Sequence, residues 1–261
     1  MTLIKHELRQ GWKSLAIWTL SIGFFIVICV MMYPEMEGEM EEVSEMFSSM
    51  GAFTAAFGMD KLNFGTLIGF YAIECGNILG IGGAFFATIL GITALAKEEK
   101  ERTAEFLLSH PVSRNKVITE KLIAVFLQIV IMNVLVYLMS IASIAGIGEE
   151  ILWEELGLMH LAYFLVQIIL AGICFGISAF IRGNGIGAGI GLATVMYFIN
   201  IVANITESAK DLKYLTPFGF AEGADIITNV DLEWKMVAVN MVFAIIGVAA
   251  AYWKYNKKDI R

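Results

Sequence analysis

The chain has 261 residues, of which 58% are apolar, and it carries a formal net charge of −7 at pH 7. This apolar fraction is well above the roughly half that is typical of soluble domains, which excludes an ordinary soluble enzyme and predicts an all-α, polytopic membrane protein. No basic stripe suited to nucleic acid accompanies the acidic balance, so we expect no nucleic-acid partner.

The first 14 residues predict an amphipathic helix. Ile4 and Leu8 recur at helical spacing, whereas Lys5 and Arg9 lie on another face. We therefore expect residues 1–14 to form an interfacial helix at the inner membrane surface. A role limited to anchoring the first span is the alternative.

Six apolar segments are long enough to cross a membrane core of about 30 Å as helices. Pro34 follows the first segment and is expected to end it. Residues 34–74 and 206–234 are predicted outer loops. The six predicted spans are residues 15–33, 75–96, 122–147, 156–181, 186–205 and 236–253.

The apolar stretch around the second span exceeds one span but does not hold two. Residues 62–73 are expected to form a half-inserted or interfacial piece, with an extension of the second span as the alternative. Glu74 would then lie near the outer end of the span and reach water. Gly76, Gly80 and Gly83 predict the close approach of another helix.

A few polar residues of the spans are candidates for a substrate path: Glu74, Gln128, Asn133 and Asn200. Gln128 and Asn133, both in the third span, fit interhelical hydrogen bonds equally well. His160, near the outer end of the fourth span, is expected to be an interface residue rather than a ligand. The methionines of the first outer loop are irregularly spaced, with no Cys or His among them, so we expect no metal site.

The positive residues predict the orientation. Of the 18 Lys and Arg residues, the predicted outer side holds only Lys61, Lys210, Lys213 and Lys235. Because positive residues favour the cytoplasmic side, we expect a multi-pass protein of the cell (plasma) membrane with both termini in the cytoplasm.

A charged segment, residues 97–121, joins the second and third spans and is expected to be cytoplasmic. Glu98 and Arg102 lie four apart with the acid first, which favours a helix. Pro111 requires that helix to end before it, and Ser113 is suited to cap a new helix that leads into the third span.

Three adjacent apolar residues, Phe106, Leu107 and Leu108, lie among the charges of this segment. An apolar knob in a charged setting close to a membrane indicates a docking element. From the residues alone, a solvated loop between two spanning helices is the alternative.

The segment resembles the cytoplasmic segment of permease subunits of ABC exporters, in the six-helix type-2 (ABC-2-like) family. Members often carry the pattern E-x-x-G-T-x-E-x-L-L-x-x-P-V-S-R. Arg102 departs from this pattern, because a Gly is common at that position. The helix geometry around residue 102 is therefore not implied by the resemblance. The matching residues are Glu99, Thr103, Glu105, Leu107, Leu108, Pro111, Val112, Ser113 and Arg114.

The resemblance implies that residues 103–109 form a coupling helix between spans two and three that docks on a separate ABC ATPase (nucleotide-binding) subunit. The chain has no Gly-Lys-Ser or Gly-Lys-Thr loop. We therefore expect a transport subunit rather than an enzyme, with no cofactor of its own and with ATP and Mg on the partner ATPase. The residues expected to dock are Glu99, Arg102, Thr103, Glu105, Phe106, Leu107, Leu108, Pro111 and Arg114.

The function that the resemblance implies is export of a hydrophobic or amphipathic substrate, either peptide- or antibiotic-like or lipid-like. A second permease copy, as a homodimer or a pair with a similar permease, and membrane lipid complete the expected partners. The alternative is a non-ABC membrane protein, either an ion-coupled transporter or an immunity or assembly factor. Ion-coupled carriers usually place several ionisable residues within the bilayer, and this chain offers only Glu74.

Overall fold

The computed structural model of the protein describes residues 2–48, 50–56, 58–59, 61–97, 113–181, 183 and 185–257. Every regular element within these residues is helical, and six helices are long and apolar enough to cross a membrane. The prediction of an all-α protein with six membrane helices is therefore confirmed. The six are α1 (Thr2–Ser48), α2 (Leu67–Thr93), α3 (Arg114–Ile147), α4 (Trp153–Ser178), α5 (Ile186–Ile205) and α6 (Trp234–Lys257).

Helix α1 does not end at Pro34, so that prediction is wrong. The helix starts at Thr2, includes the amphipathic stretch without a break, and continues through Pro34 to Ser48. Proline removes one backbone hydrogen bond and costs about 3 kcal/mol in a helix interior. The buried side chain of Tyr33, whose hydroxyl donates to the Gly65 carbonyl at 2.9 Å, anchors the helix next to the proline.

Helix α2 begins eight residues before its predicted start at residue 75. The Thr66 hydroxyl caps it by accepting from the Gly69 N–H at 3.3 Å, and a π-helical turn, Tyr71–Cys75, leads into the regular helix. The prediction of a separate half-inserted piece is therefore wrong for residues 67–73, which extend the second span. Phe70 and its neighbours are buried in the core, which favours one continuous helix over a separate piece.

Close approach at the predicted glycines of α2 is confirmed. The side chain of Tyr163, on α4, lies against Gly76 and Gly80, and the amide of Gln167 lies against Gly83. A Cβ at any of the three positions would crowd that side chain. Helices α2 and α4 consequently form the centre of the bundle.

Ser113 caps α3 as predicted. Its hydroxyl accepts a hydrogen bond from the Lys116 N–H at 3.3 Å, and the helix begins at the next residue, Arg114. The helix thus includes residues 114–121, which precede the predicted span. Helix α5 has the predicted bounds, and α6 extends past both of its predicted ends.

The helices differ in how far the bundle covers them. Of the most apolar 18 residues of each helix, 67% are buried in α4 and 61% in α2, but only 22% in α5 and in α6 and 28% in α1. Helices α1, α5 and α6 therefore expose broad apolar faces, as expected for lipid contact or for a second copy of the chain.

Different parts of the chain lie at the two ends of the bundle. The start of α1, the start of α3 and the end of α6 meet at one end, here called the junction end. At the opposite end, the segment before α6 forms two 3-10 helices, Glu207–Leu215 and Pro217–Phe220, and a short α-helix, Gly223–Asn229. Phe218 and Phe220 of this segment are buried in the core.

Candidate functional site

The first two turns of α3 hold the start of α1 through a buried ion pair. The Lys121 side chain is 1% exposed, and its ammonium donates to the Glu7 carboxylate at 2.8 Å. A buried charge is tolerated only when it is paired in this way. The pair therefore fixes the position of α1 relative to α3.

Glu120, the preceding residue, binds the same helix at its first turn. Its carboxylate accepts from the backbone N–H groups of Leu3 at 3.1 Å and Ile4 at 3.4 Å. The first N–H groups of a helix have no partner within the helix, and the helix dipole favours a negative charge beside them. Glu120 thus acts as an N-terminal cap supplied by another helix.

Arg114 caps the end of α6 in a similar way. Its guanidinium donates to the carbonyls of Tyr255 and Asn256, both at 3.1 Å, and the last carbonyls of a helix likewise need an outside partner. Asn115 accepts from the Asn256 side-chain amide at 2.6 Å. The start of α3 therefore caps both the first helix and the last helix of the chain.

We call this cluster, Arg114, Glu120 and Lys121 with their partners on α1 and α6, the junction. It begins directly after residues 98–112, which lie outside the described residues. The predicted coupling helix and nearly all the predicted docking residues fall in that range. Arg114 is the exception, and in the structure its guanidinium binds α6.

Asn133 forms an interhelical hydrogen bond, one of the two roles predicted for it. Its side-chain amide donates to Gln167 Oε1 on α4 at 2.6 Å and to the Ile129 carbonyl at 2.8 Å. Both side chains are buried. The pair joins α3 to α4 in the centre of the bundle.

Gln128 lies one and a half turns away on the same helix. It donates to the Ala124 carbonyl at 3.3 Å, and its Oε1 has no hydrogen-bond partner among the described residues. That oxygen faces Gly11 of α1. Among the described residues, the Gln128 side chain therefore forms its hydrogen bond within its own helix, α3, and not with another helix.

Of the four predicted path residues, only Asn200 lines one of the described cavities. Asn200, on α5, lines a cavity of about 50 Å³ near the opposite end of the bundle, and none of the other three is among the described residues that line it. Glu74 is exposed on α2. A shared substrate path for these residues stays a prediction.

His160 is not the interface residue that was predicted. It is buried, its Nε2 lies 2.9 Å from the Tyr71 hydroxyl, and that hydroxyl donates to Ser140 at 2.7 Å. The network joins α2, α3 and α4. Sequence reasoning missed it because the stretch around Tyr71 was assigned to the membrane surface.

Two ion pairs at the opposite end were also not predicted. Lys213 donates to Glu222 at 2.6 Å, and Lys61 donates to Asp225 at 3.0 Å. The first pair lies within the segment before α6, whereas the second joins that segment to a residue 164 positions away, a separation that leaves no local pattern. Within the described residues, no group of three or more His, Cys, Asp and Glu could hold a metal ion.

Comparison with known families gives a match over nearly the whole chain. A family model described as "ABC-2 family transporter protein" matches residues 1–260. No curated protein matches the chain. The family match covers α1 to α6 and the segment between α2 and α3.

Proposed function

Since the chain belongs to the ABC-2 family of transporter proteins, we propose that it is the permease subunit of an ATP-driven exporter. Such permeases are the membrane component of transport and generally work with a separate ATPase subunit. ATP and Mg are bound and used on that partner. The family match favours this function over the non-ABC alternative.

The junction is the observation that carries the proposal. The segment that resembles a coupling helix ends at Arg114, where α3 is tied to the start of α1 and the end of α6. A partner that pushes on residues 98–112 displaces the start of α3, and the ties pass that displacement to both other helices. This arrangement suits a chain that converts ATPase movement into helix movement.

The assembly contains two permease copies and two ATPase subunits. Helices α1, α5 and α6 expose wide apolar faces, which suit a second permease and membrane lipid. The substrate path lies between the two copies, because six helices with a packed centre leave little room for one. Both termini and the junction face the cytoplasm of a cell membrane.

The exported molecule is hydrophobic or amphipathic. The lining that the spans offer is apolar with isolated Asn and Gln residues. Export as the direction, and a peptide- or antibiotic-like or lipid-like substrate, follow the resemblance to exporter permeases.

The test is purification of the tagged protein from its native membrane with identification of the associated proteins. We expect a stoichiometric ATPase that is lost when Phe106→Ala and Leu107→Ala are combined. The matched control combines Leu152→Ala and Trp153→Ala, an adjacent pair of exposed apolar residues at the opposite end of the bundle. The proposal fails if the first pair keeps the ATPase in full, or if the folded wild-type protein carries none.

A further inference from the structure

We propose that Cys29 of α1 and Cys75 of α2 are a site of reversible oxidation and form a disulfide bond between the two helices. Their thiols lie within hydrogen-bonding distance of each other. The Cys75 sulfur also lies 4.0 Å from the Ile26 carbonyl of α1. Because helical side chains tilt towards the N-terminus of their helix, the Cys29 side chain extends back towards the level of Ile26.

Helices α1 and α2 pack in a register that places the two cysteines opposite each other. Towards the junction end, the Ile22 side chain lies against Gly82. Two helical turns forward along α1 and two back along α2 lead from this contact to the cysteines. One turn beyond them, the rings of Tyr33 and Phe70 have centroids 5.5 Å apart. Contacts on both sides of the pair therefore hold the thiols face to face.

The two thiols differ in how easily a reagent reaches them. Cys75 is fully buried, whereas Cys29 is half-buried. A more accessible thiol beside a buried one is the arrangement that reversible oxidation needs, because the first reacts with the oxidant and the second resolves the product. We therefore assign Cys29 as the attacking cysteine and Cys75 as the resolving cysteine.

The oxidant is a disulfide compound, R–S–S–R, and the reaction is thiol–disulfide exchange. Cys29 gives up its proton and its sulfur attacks one sulfur of the oxidant, which forms a mixed disulfide and releases the first R–SH. Cys75 then gives up its proton and attacks the Cys29 sulfur, which breaks the mixed disulfide and releases the second R–SH. The two cysteines lose two electrons and two protons, and the oxidant gains both.

The position of the pair suits such a bond. Both cysteines lie near the outer ends of their predicted spans, and in the orientation expected from the positive residues this end faces away from the cytoplasm, where disulfides form and persist. Cys75 is also the last residue of the π-helical turn of α2, and such turns are frequent at functional sites. A bond there fixes α1 to α2, so the redox state of the pair sets how freely α1 moves against its neighbour.

The experiment exposes the purified protein in lipid nanodiscs to 2,2′-dithiodipyridine, a small apolar disulfide that enters membranes. The protein is then unfolded in detergent, and its remaining thiols are alkylated with N-ethylmaleimide. The chain has three cysteines, so the intact mass should show three labels before oxidation and one, on Cys174, after it. A digest should contain a peptide that links Cys29 to Cys75, and dithiothreitol should restore all three labels.

Single variants separate the two roles. In Cys75→Ser, Cys29 has no resolving partner and should keep the pyridylthio group as a stable mixed disulfide. In Cys29→Ser, the buried Cys75 should remain a thiol over the time in which Cys29 is fully modified in the other variant. Cys174, buried in α4, is the matched control within the same chain and should remain a thiol throughout.

Three labels after oxidation, a stable pyridylthio group on Cys29 of the wild type, or a link from either cysteine to Cys174 or to a second chain would overturn the inference. The labels are counted on the purified chain without any ATPase. The outcome is therefore independent of the copurification that tests the proposed function.

Discussion

Lys121 lies on the helix that follows the proposed docking segment, residues 98–112, and fixes that helix to α1. Its side chain is 1% exposed, and its ammonium is paired with the carboxylate of Glu7, a side chain 16% exposed at the start of α1. Removing one member of a buried pair leaves the other charge uncompensated, which is far more costly than removing both.

We expect Lys121→Met to lower the free energy of unfolding by roughly 3–5 kcal/mol, toward the lower figure because water reaches Glu7. The double variant Lys121→Met with Glu7→Leu should regain most of this loss. Unfolding of the three proteins in detergent, analysed as a double-mutant cycle, measures the coupling. Equal destabilisation of the single and double variants would show that the ion pair is not its source.

Single-residue environments were the hardest feature to predict from the sequence. Hydropathy and spacing predicted the helices that carry His160 and Asn133, and the Asn133 hydrogen bond followed from its position in a span. The burial of His160 depends on Tyr71 and Ser140, which come from other helices. No local pattern contains that information.

At the scale of the helix, some glycines lie in close contacts between helices and others face open space. Gly83 lies against the Gln167 amide, whereas Gly191 on α5 has nothing within 4 Å of where a Cβ would be. The same substitution at the two sites therefore has opposite consequences.

We expect Gly83→Ala to destabilise the protein by about 1–3 kcal/mol, because the added carbon crowds the contact between α2 and α4. Gly191→Ala should be neutral or stabilising by up to about 1 kcal/mol through helix propensity. Thermal unfolding in the same detergent compares them. A larger loss at Gly191 would instead indicate that a second chain covers that face.

The cap of α3 gives a prediction local to one helix end. Ser113→Ala removes the hydrogen bond to the Lys116 N–H and should cost about 1 kcal/mol. Hydrogen exchange at the amides of residues 114–121 should accelerate, whereas Ser113→Asp should keep them protected because Asp also caps helices. Unchanged exchange in the alanine variant would mean that the ties to α1 and α6 alone hold this helix end.

Helix ends were predicted well where local chemistry decides them and poorly where packing does. Ser113 caps α3 as its type suggests, and the bounds of α5 follow from hydropathy. Pro34 is a strong local stop signal, yet the anchored side chain of Tyr33 keeps α1 helical across it. The early start of α2 likewise depends on core contacts made by residues such as Phe70.

For the whole molecule, the orientation in the membrane is the property most open to test. We expect a membrane-impermeant maleimide to label Glu150→Cys in intact cells and to label Lys257→Cys only after permeabilisation. Both positions are exposed and lie at opposite ends of the bundle. The native cysteines are replaced by alanine so that each label has one target.

A control protein with no cysteine should remain unlabelled in both conditions. Labelling of Lys257→Cys in intact cells would invert the orientation and move residues 98–112 away from any cytoplasmic ATPase. The orientation is predicted from the positions of the Lys and Arg residues, which the sequence alone supplies. It requires an even number of spans, and the six candidate membrane helices of the described residues agree with this.

The continuity of α1 has a mechanical consequence. A helix of 47 residues is about 70 Å long at 1.5 Å per residue, more than twice the apolar thickness of a bilayer. Such a rod acts as a lever, whose far tip sweeps through an arc when its near tip is tilted. A rotation of 10° at Glu7 would carry Ser48 on the order of 10 Å, so a small stroke on one face of the membrane becomes a large one on the other.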